Sequence, residues 1–123
     1  LGAKHLPWSR LRGFRCDLLV NATSVGLAPE VERAPVRASW IAAPVVYDVV
    51  YNPPETRLLR EARARGLQVI DGVEMFVAQA AAQFTLFTGR RPPVDVMRRA
   101  ALLALAERTG REGAEKPRAR RRR

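Results

Sequence analysis

Short runs of hydrophobic residues separated by polar turns predict three β-strands before residue 71. Residues 18–20 (Leu-Leu-Val) form the first run, which predicts a buried strand, and residues 21–29 follow it as a loop. The run within residues 44–50 is longer and rich in β-branched side chains, which favour strands. Residues 67–70 form the third run, which predicts another short strand.

Hydrophobic positions at helical spacing begin after the second strand. Thr56 is a residue type that caps helix N-termini, and Leu58, Leu59 and Ala62 then share one face. Gly66 is expected to end this helix, because glycine readily adopts the left-handed conformation common at helix C-termini. A helix is therefore predicted between the second and third strands.

A longer helix is predicted over residues 72–88. Asp71 is the expected N-cap, Glu74 completes a capping-box pattern, and Gly89 ends the helix. One apolar stripe comprises Val73, Phe76, Val77, Ala80, Ala81, Phe84 and Phe87. A second stripe comprises Met75, Gln79, Ala82 and Leu86. Because the helix is apolar almost all round, we expect it to be buried on several sides.

The order of these elements predicts an α/β fold. A final helix is expected over about residues 94–107, with Val94, Met97, Ala101 and Ala104 along one face. Strands that alternate with helices form parallel sheets with crossover helices. About three strands are few for such a sheet, so the edge beside residues 18–20 should pair with a strand outside this chain. Ligands bind outside the carboxyl ends of parallel strands, where polar or glycine-bearing segments follow each strand here.

Composition narrows the class of protein. Hydrophobic residues make up 47% of the 123 residues, and no apolar run is long enough for a membrane span. The single cysteine, Cys16, fits a reducing cytoplasm, where we expect the protein to reside. His5 is the only histidine, so neither a Ser-His-Asp triad nor a multi-histidine metal site is predicted.

Positive charge is concentrated at the C-terminus. Residues 111–123 hold seven basic and two acidic residues, which is half of the net charge of +10. This tail is expected to be a disordered, solvated basic end. Nucleic-acid binding through the tail is the alternative, but no aromatic residue is interleaved with the charges to provide a stacking platform.

Three segments resemble motifs of one enzyme family. Residues 21–27 (N-A-T-S-V-G-L) resemble the N-A-T-S-x-G-M segment of shikimate dehydrogenases, with leucine in place of the usual methionine. Residues 47–59 resemble their Y-D-x-x-Y-x-P-x-x-T-x-L-L segment. Residues 72–80 (G-V-E-M-F-V-A-Q-A) resemble their G-x-x-M-L-x-x-Q-A helix, with phenylalanine replacing leucine and Glu74 replacing a small residue. All three occur in the family order, and the resemblance covers about residues 1–105.

The resemblance implies a fold, a reaction and a set of contacts. The fold is the second half of a Rossmann-like, doubly wound cofactor domain with C-terminal helices, over residues 1–110. The reaction is the reversible, NADPH-dependent reduction of 3-dehydroshikimate to shikimate, with quinate as substrate or NAD as cofactor as the alternative. The implied cofactor contacts are Asn21, Thr23, Ser24, Val49 and Gly72. The implied substrate contacts are Tyr51 and Gln79.

Ordinary structural roles stay open for the same residues. Gln79 could be a core amide bonded to nearby backbone, and Gly72 could be a turn glycine. Thr23 and Ser24 could satisfy backbone groups of their own loop, and Tyr51 could be a packing residue.

The family's catalytic groups find no match in this chain. The Lys–Asp pair lies in the family's N-terminal substrate domain, and the phosphate-binding turn lies in the first half of its cofactor domain. Neither G-x-G-x-x-G nor G-x-G-G occurs here. We therefore predict no catalytic residue, an inactive chain on its own, and those two missing parts as its partners. A non-catalytic module that binds a partner through its open sheet edge is the alternative.

Overall fold

A computed structural model describes residues 2–114 of this protein and the side chains of residues 2–108. These residues form a parallel sheet of three strands with three α-helices. The strands are β1 (Leu18–Asn21), β2 (Val45–Asp48) and β3 (Gln68–Ile70). The helices are α1 (Arg57–Ala64), α2 (Gly72–Thr88) and α3 (Val94–Ala114), and short 3-10 turns lie at Trp8–Arg10 and Ala38–Trp40. The predicted α/β class is confirmed.

The strand order in the sheet is β1-β2-β3, and both pairs of neighbours are parallel. Leu19 lies opposite Val46, and Asn21 lies opposite Asp48, in the β1–β2 pair. Helix α1 connects β2 to β3 as the predicted crossover. Because all three strands run the same way, their carboxyl ends come to one edge of the sheet.

The main hydrophobic core lies where α1 packs against the sheet. Val46 of β2 and Leu59 of α1 are completely buried. The buried members of this core are Val36, Ile41, Ala43, Val46, Leu58, Leu59 and Ala62. The predicted inner face of α1 is therefore confirmed.

Both predicted ends of α1 are found in the structure. The Thr56 hydroxyl accepts a hydrogen bond from the backbone N–H of Leu59, and Gly66 follows the helix with a φ of +75°. On the exposed side, the hydrogen bond from Arg57 Nε to Glu61 at 2.6 Å raises the pKa of the Arg57 guanidinium. Such exposed pairs stabilise the protein little.

The first strand is not buried as the sequence predicted. Leu18 and Val20 are 46% and 44% exposed, and only Asn21 of this strand is buried. The physical reason is that Leu18 and Val20 point to the face of the sheet opposite Leu19, whereas α1 and the core lie on the Leu19 side. Their side chains therefore lack the cover that a second layer of helices would give.

The long helix has the predicted bounds but not the predicted burial. Asp71 caps it by accepting a hydrogen bond from the N–H of Glu74 at 3.0 Å, and Gly89 ends it with a φ of +66°. The Glu74 carboxylate forms an ion pair with Arg98 of α3 instead of accepting a hydrogen bond from the N–H of Asp71. The second half of the predicted capping box is therefore not formed. The buried residues are Gly72, Val73, Val77 and Ala81, of which Val73 and Val77 pack on α3, and Phe87 is 81% exposed, so the expected burial on several sides is wrong for this chain.

The final helix is longer than predicted. It continues to Ala114, past the expected end at residue 107, because no proline interrupts the sequence before Pro117. Residues 111–114, assigned from sequence to a disordered tail, therefore belong to α3. The rest of the tail, residues 115–123, lies outside the described residues. No helix in the described range is long and apolar enough to cross a membrane.

The face of α3 that contacts α2 also differs by one position from the prediction. Leu105 is 7% exposed and packs with Val73 and Val77 of α2, whereas the expected Ala104 is exposed. Met97 and Ala101 lie against the same cluster, as predicted. Val94 is 37% exposed, so it does not belong to the buried part of this face.

Candidate functional site

The three polar segments that follow the strands meet at the carboxyl edge of the sheet. The backbone carbonyl of Asn21 accepts a hydrogen bond from the N–H of Val49 at 3.1 Å, which joins the ends of β1 and β2. The N-terminus of α2 begins at Gly72, directly after β3, and touches the same backbone. The structure therefore brings the predicted cofactor contacts of three separate segments to one edge.

Gly72 lies against the backbone that follows β2. A Cβ added at Gly72 would stand 2.6 Å from the carbonyl oxygen of Val49 and 2.5 Å from that of Val50. Real side chains essentially never approach backbone atoms so closely, so position 72 requires a glycine to keep this contact. The glycine is therefore needed by the packing of the chain itself, which is more specific than the turn role left open by the sequence.

The Asn21 side chain is buried and fully engaged within the protein. Its Nδ2 donates to the carbonyl of Val25 at 3.2 Å and to Oδ1 of Asp48 at 2.9 Å. Its Oδ1 accepts from the N–H and the hydroxyl of Thr23, at 3.1 and 2.7 Å. These bonds use both donors and both acceptor positions of an amide, so Asn21 shapes its loop through its side chain.

The hydroxyls that follow Asn21 differ in their surroundings. The Thr23 hydroxyl also accepts a hydrogen bond from the N–H of Val25 at 3.2 Å, so it satisfies loop backbone as the structural alternative proposed. Ser24 is exposed, and its hydroxyl makes no hydrogen bond to any described residue. Asn21 and Thr23 also border a largely apolar cleft of about 340 Å³ between residues 6–11 and β1. Of this loop, Ser24 is thus the side chain with free hydrogen-bonding capacity.

Asp48 and Thr56 form a buried polar pair that the sequence reasoning did not assign to the site. Both side chains are completely buried, and the Thr56 hydroxyl donates to Oδ2 of Asp48 at 2.7 Å. Asp48 Oδ1 accepts from the N–H of Val50 at 3.0 Å in addition to Asn21. A charged residue at the end of an apolar strand was the available signal, because a buried carboxylate requires nearby donors.

Tyr51 and Gln79 both have exposed surface beside this edge. The Tyr51 ring is 39% exposed and lies against Phe76 of α2, with ring centroids 5.5 Å apart. It also borders a cleft of about 180 Å³ between α2 and α3. Gln79 is exposed, so the alternative of a core amide does not hold within this chain. The α2 residues that pack on α3 are Val73 and Val77.

The spacing along α2 places Gln79 on the side of Gly72. The two residues are seven positions apart, close to two turns at about 3.6 residues per turn, so they share a face. Phe76, four positions after Gly72, lies on the same side, and its ring packs against the ring of Tyr51. Helix spacing therefore places Gln79 on the face of α2 that begins at Gly72 and includes Phe76, against which Tyr51 packs.

Comparisons with known proteins agree on one family. The model of the Shikimate 5'-dehydrogenase C-terminal domain matches residues 72–102. A shikimate dehydrogenase (NADP(+)) of Exiguobacterium sibiricum is 45% identical over 94 residues, which are 76% of this chain and 36% of that protein. The crystal structure of shikimate 5-dehydrogenase from Thermus thermophilus, in complex with NADP(H) and shikimate, is 40% identical with a TM-score of 0.69. The matched region is 80% of this chain and 37% of the Thermus thermophilus chain.

The chain belongs to the shikimate dehydrogenase family. It spans about a third of the length of the curated relatives it matches, with 36% and 32% of the first two. The predicted family is therefore confirmed, together with the partial Rossmann-like architecture of its members.

This part of shikimate dehydrogenases is shared with an enzyme of another specificity. Quinate dehydrogenase from Corynebacterium glutamicum, in complex with NAD, is 41% identical with a TM-score of 0.63. The matched region is 72% of this chain and 31% of the quinate dehydrogenase chain. Identity to the shikimate and quinate enzymes is thus nearly equal over this part, so overall similarity here does not discriminate between the two substrates.

Proposed function

We propose that this chain forms the nicotinamide-side wall of a shikimate dehydrogenase that reversibly reduces 3-dehydroshikimate to shikimate with NADPH. The observation that carries the proposal is the contact of Gly72 with the carbonyls of Val49 and Val50. This contact joins the start of α2 to the end of β2, while Asn21 holds the neighbouring loop to Val49. Backbone groups are thereby grouped where open parallel sheets bind ligands.

The chemistry of this edge fits one end of NADP. The segments 21–26, 48–53 and 71–72 contain no lysine or arginine, so they offer no charged partner for phosphates. They offer backbone groups and the exposed Ser24 hydroxyl, which suit an uncharged carboxamide and a ribose. Bound NADPH supplies the hydride, and the role of Asn21, Thr23, Ser24, Val49 and Gly72 is to place its nicotinamide end.

The substrate contacts follow from two exposed polar groups on the same side. Tyr51 has a partly exposed ring held by Phe76, and Gln79 has an exposed amide. An amide can both donate to and accept from hydroxyl groups, which matches a polyhydroxylated acid such as shikimate. We assign both residues to binding and orienting the substrate, and neither to proton transfer.

The remaining functions belong to other parts of the enzyme. We assign proton transfer to the family's Lys–Asp pair, and phosphate binding to the first half of the cofactor domain. Residues 1–110 then form the second half of that domain with its C-terminal helices. The part that binds the phosphates also determines the choice of NADP over NAD. The single Cys16 supports a cytoplasmic location.

A chimera tests this proposal. Replacing the matched 36% of the Exiguobacterium sibiricum enzyme with this chain should give a protein that reduces NADP with shikimate. The 123-residue chain alone should give no turnover above background, because nothing in it matches the family's Lys–Asp pair for proton transfer. A folded but inactive chimera, or turnover by the chain alone, would contradict the proposal.

A further inference from the structure

Asp48 is the most buried ionisable group at the carboxyl edge, and its hydrogen bonds come from three parts of the fold. Oδ1 accepts from Nδ2 of Asn21 at 2.9 Å and from the N–H of Val50 at 3.0 Å. Oδ2 accepts from the Thr56 hydroxyl at 2.7 Å. The side chain is completely buried, so it can touch neither cofactor nor substrate directly.

Each of these bonds fixes a part of the proposed cofactor wall. The bond from Val50 holds the peptide that follows Val49, whose carbonyl faces Gly72. The bond from Asn21 holds the amide around which the loop of Thr23 turns. The bond from Thr56 ties both to the start of α1, which is anchored in the hydrophobic core.

A carboxylate suits this position because it is the side chain with acceptor capacity alone. Three donors converge on Asp48, and an ionised carboxylate has lone pairs for all of them without a hydrogen of its own to place. Three buried donors without a partner would carry a large desolvation penalty. Asp48 therefore adds three side-chain hydrogen bonds to the backbone bond from Val49 to Asn21, and its loss would loosen the way these segments are held together.

We propose that Asp48 is a positioning residue that sets the geometry of the cofactor-binding wall by tying Val50, Asn21 and Thr56 together. The proposal rests on the proposed function, because it concerns the same cofactor site. It assigns Asp48 a role in cofactor binding beyond a contribution to stability, although the carboxylate contacts no ligand.

The kinetic test uses the chimera described above, with four variants. Asp48→Ala removes the acceptor of all three bonds, and Asn21→Ala frees the loop while the bonds from Val50 and Thr56 to Asp48 stay. Asp48→Asn is the conservative variant, because its amide can keep Oδ1 and donate to Thr56. Ala62→Gly is the matched control, because it weakens the buried face of α1 at the end away from Thr56.

The expected result separates positioning from stability. In assays well below their unfolding temperatures, Asp48→Ala and Asn21→Ala should raise the KM for NADP about tenfold. The KM for shikimate should change less. Asp48→Asn should recover most of this loss, and Ala62→Gly should lower the melting temperature with an unchanged KM for NADP. A folded Asp48→Ala variant with the KM of the parent would overturn the proposal. If Asp48→Ala does not fold, an unchanged KM for NADP in Asn21→Ala would overturn the proposal, because this variant removes the bond that ties the loop to Asp48.

A second measurement keeps the two proposals distinguishable. In the 123-residue chain, amide hydrogen exchange at Val50, Val49 and Thr23 should speed up together in Asp48→Ala and much less in Asp48→Asn, with α2 and α3 unchanged. An inactive parent chimera would refute the proposed function, whereas this coupled exchange would still support positioning by Asp48. Unchanged exchange at Thr23 in Asp48→Ala would refute positioning whatever the activity of the chimera.

Discussion

At Gly72, the absence of one methyl group allows a helix N-terminus to touch the end of a neighbouring strand. The carbonyl oxygens of Val49 and Val50 occupy the direction in which a side chain would point. Backbone cannot move aside as the end of a flexible side chain can. The same contact therefore decides both the packing of α2 and the position of the Val49 carbonyl.

Gly72→Ala should displace this backbone and lower both stability and activity. We expect a loss of about 1–3 kcal/mol in the free energy of unfolding, the usual cost of overpacking. Denaturant unfolding of the 123-residue chain measures it, with Gly2→Ala as the control because a Cβ there meets nothing within 4 Å. Equal stabilities of the two variants would show that the contact at Gly72 is not formed.

Gln79 has a role that can be separated from packing, since its amide is exposed. In the chimera, Gln79→Leu should raise the KM for shikimate about 3- to 10-fold, the effect of one or two lost hydrogen bonds to neutral groups. The KM for NADP should stay within about twofold, because the amide is assigned to the substrate. Gln83→Leu, one turn further along α2 and also exposed, is the control. Similar effects of both substitutions would count against a substrate contact by Gln79.

Among the elements, α2 and α3 form a pair that rests on a small apolar cluster. Val73, Val77 and Leu105 are its buried members. The ion pair between Glu74 and Arg98 also joins the two helices, but both side chains are more than a third exposed. Exposed ion pairs contribute little because water screens them. The apolar cluster therefore determines how firmly α3 is held.

Leu105→Ala should reduce the free energy of unfolding by about 2–3 kcal/mol, at the lower end for buried leucines because the cluster is small. Leu103→Ala, on the same helix but 67% exposed, should change it by no more than about 0.5 kcal/mol. Glu74→Gln should cost less than about 1 kcal/mol. Chemical denaturation of the three variants checks this order, and a larger effect of Glu74→Gln than of Leu105→Ala would contradict it.

Local signals in the sequence were sufficient for the elements but not for their surroundings. The caps at Thr56, Asp71 and Gly89 act over a few residues, so the bounds of α1 and α2 could be predicted. The exposure of β1 and of Gln79 could not be predicted, because it depends on what covers an element rather than on the element's own sequence pattern. The hydrogen bond from Asn21 to Asp48 joins residues 27 positions apart, which no local pattern specifies.

At the scale of the whole molecule, exposed apolar surface lies on both sides of the candidate site. Leu18 and Val20 are 46% and 44% exposed on one face of β1, and Leu86 and Phe87 are 80% and 81% exposed on α2. Surfaces of this kind mark interfaces with other protein parts. These exposed apolar residues are therefore candidates for contacts with another part of a protein.

The central claim is that this chain provides the nicotinamide-side wall of the active site. A crystal structure of the chimera with NADP and shikimate tests it most directly. We predict the nicotinamide ring in contact with the backbone of Val49 and Gly72, and a shikimate hydroxyl within hydrogen-bonding distance of the Gln79 amide. A nicotinamide ring bound away from the carboxyl edge of β1 and β2 would contradict it.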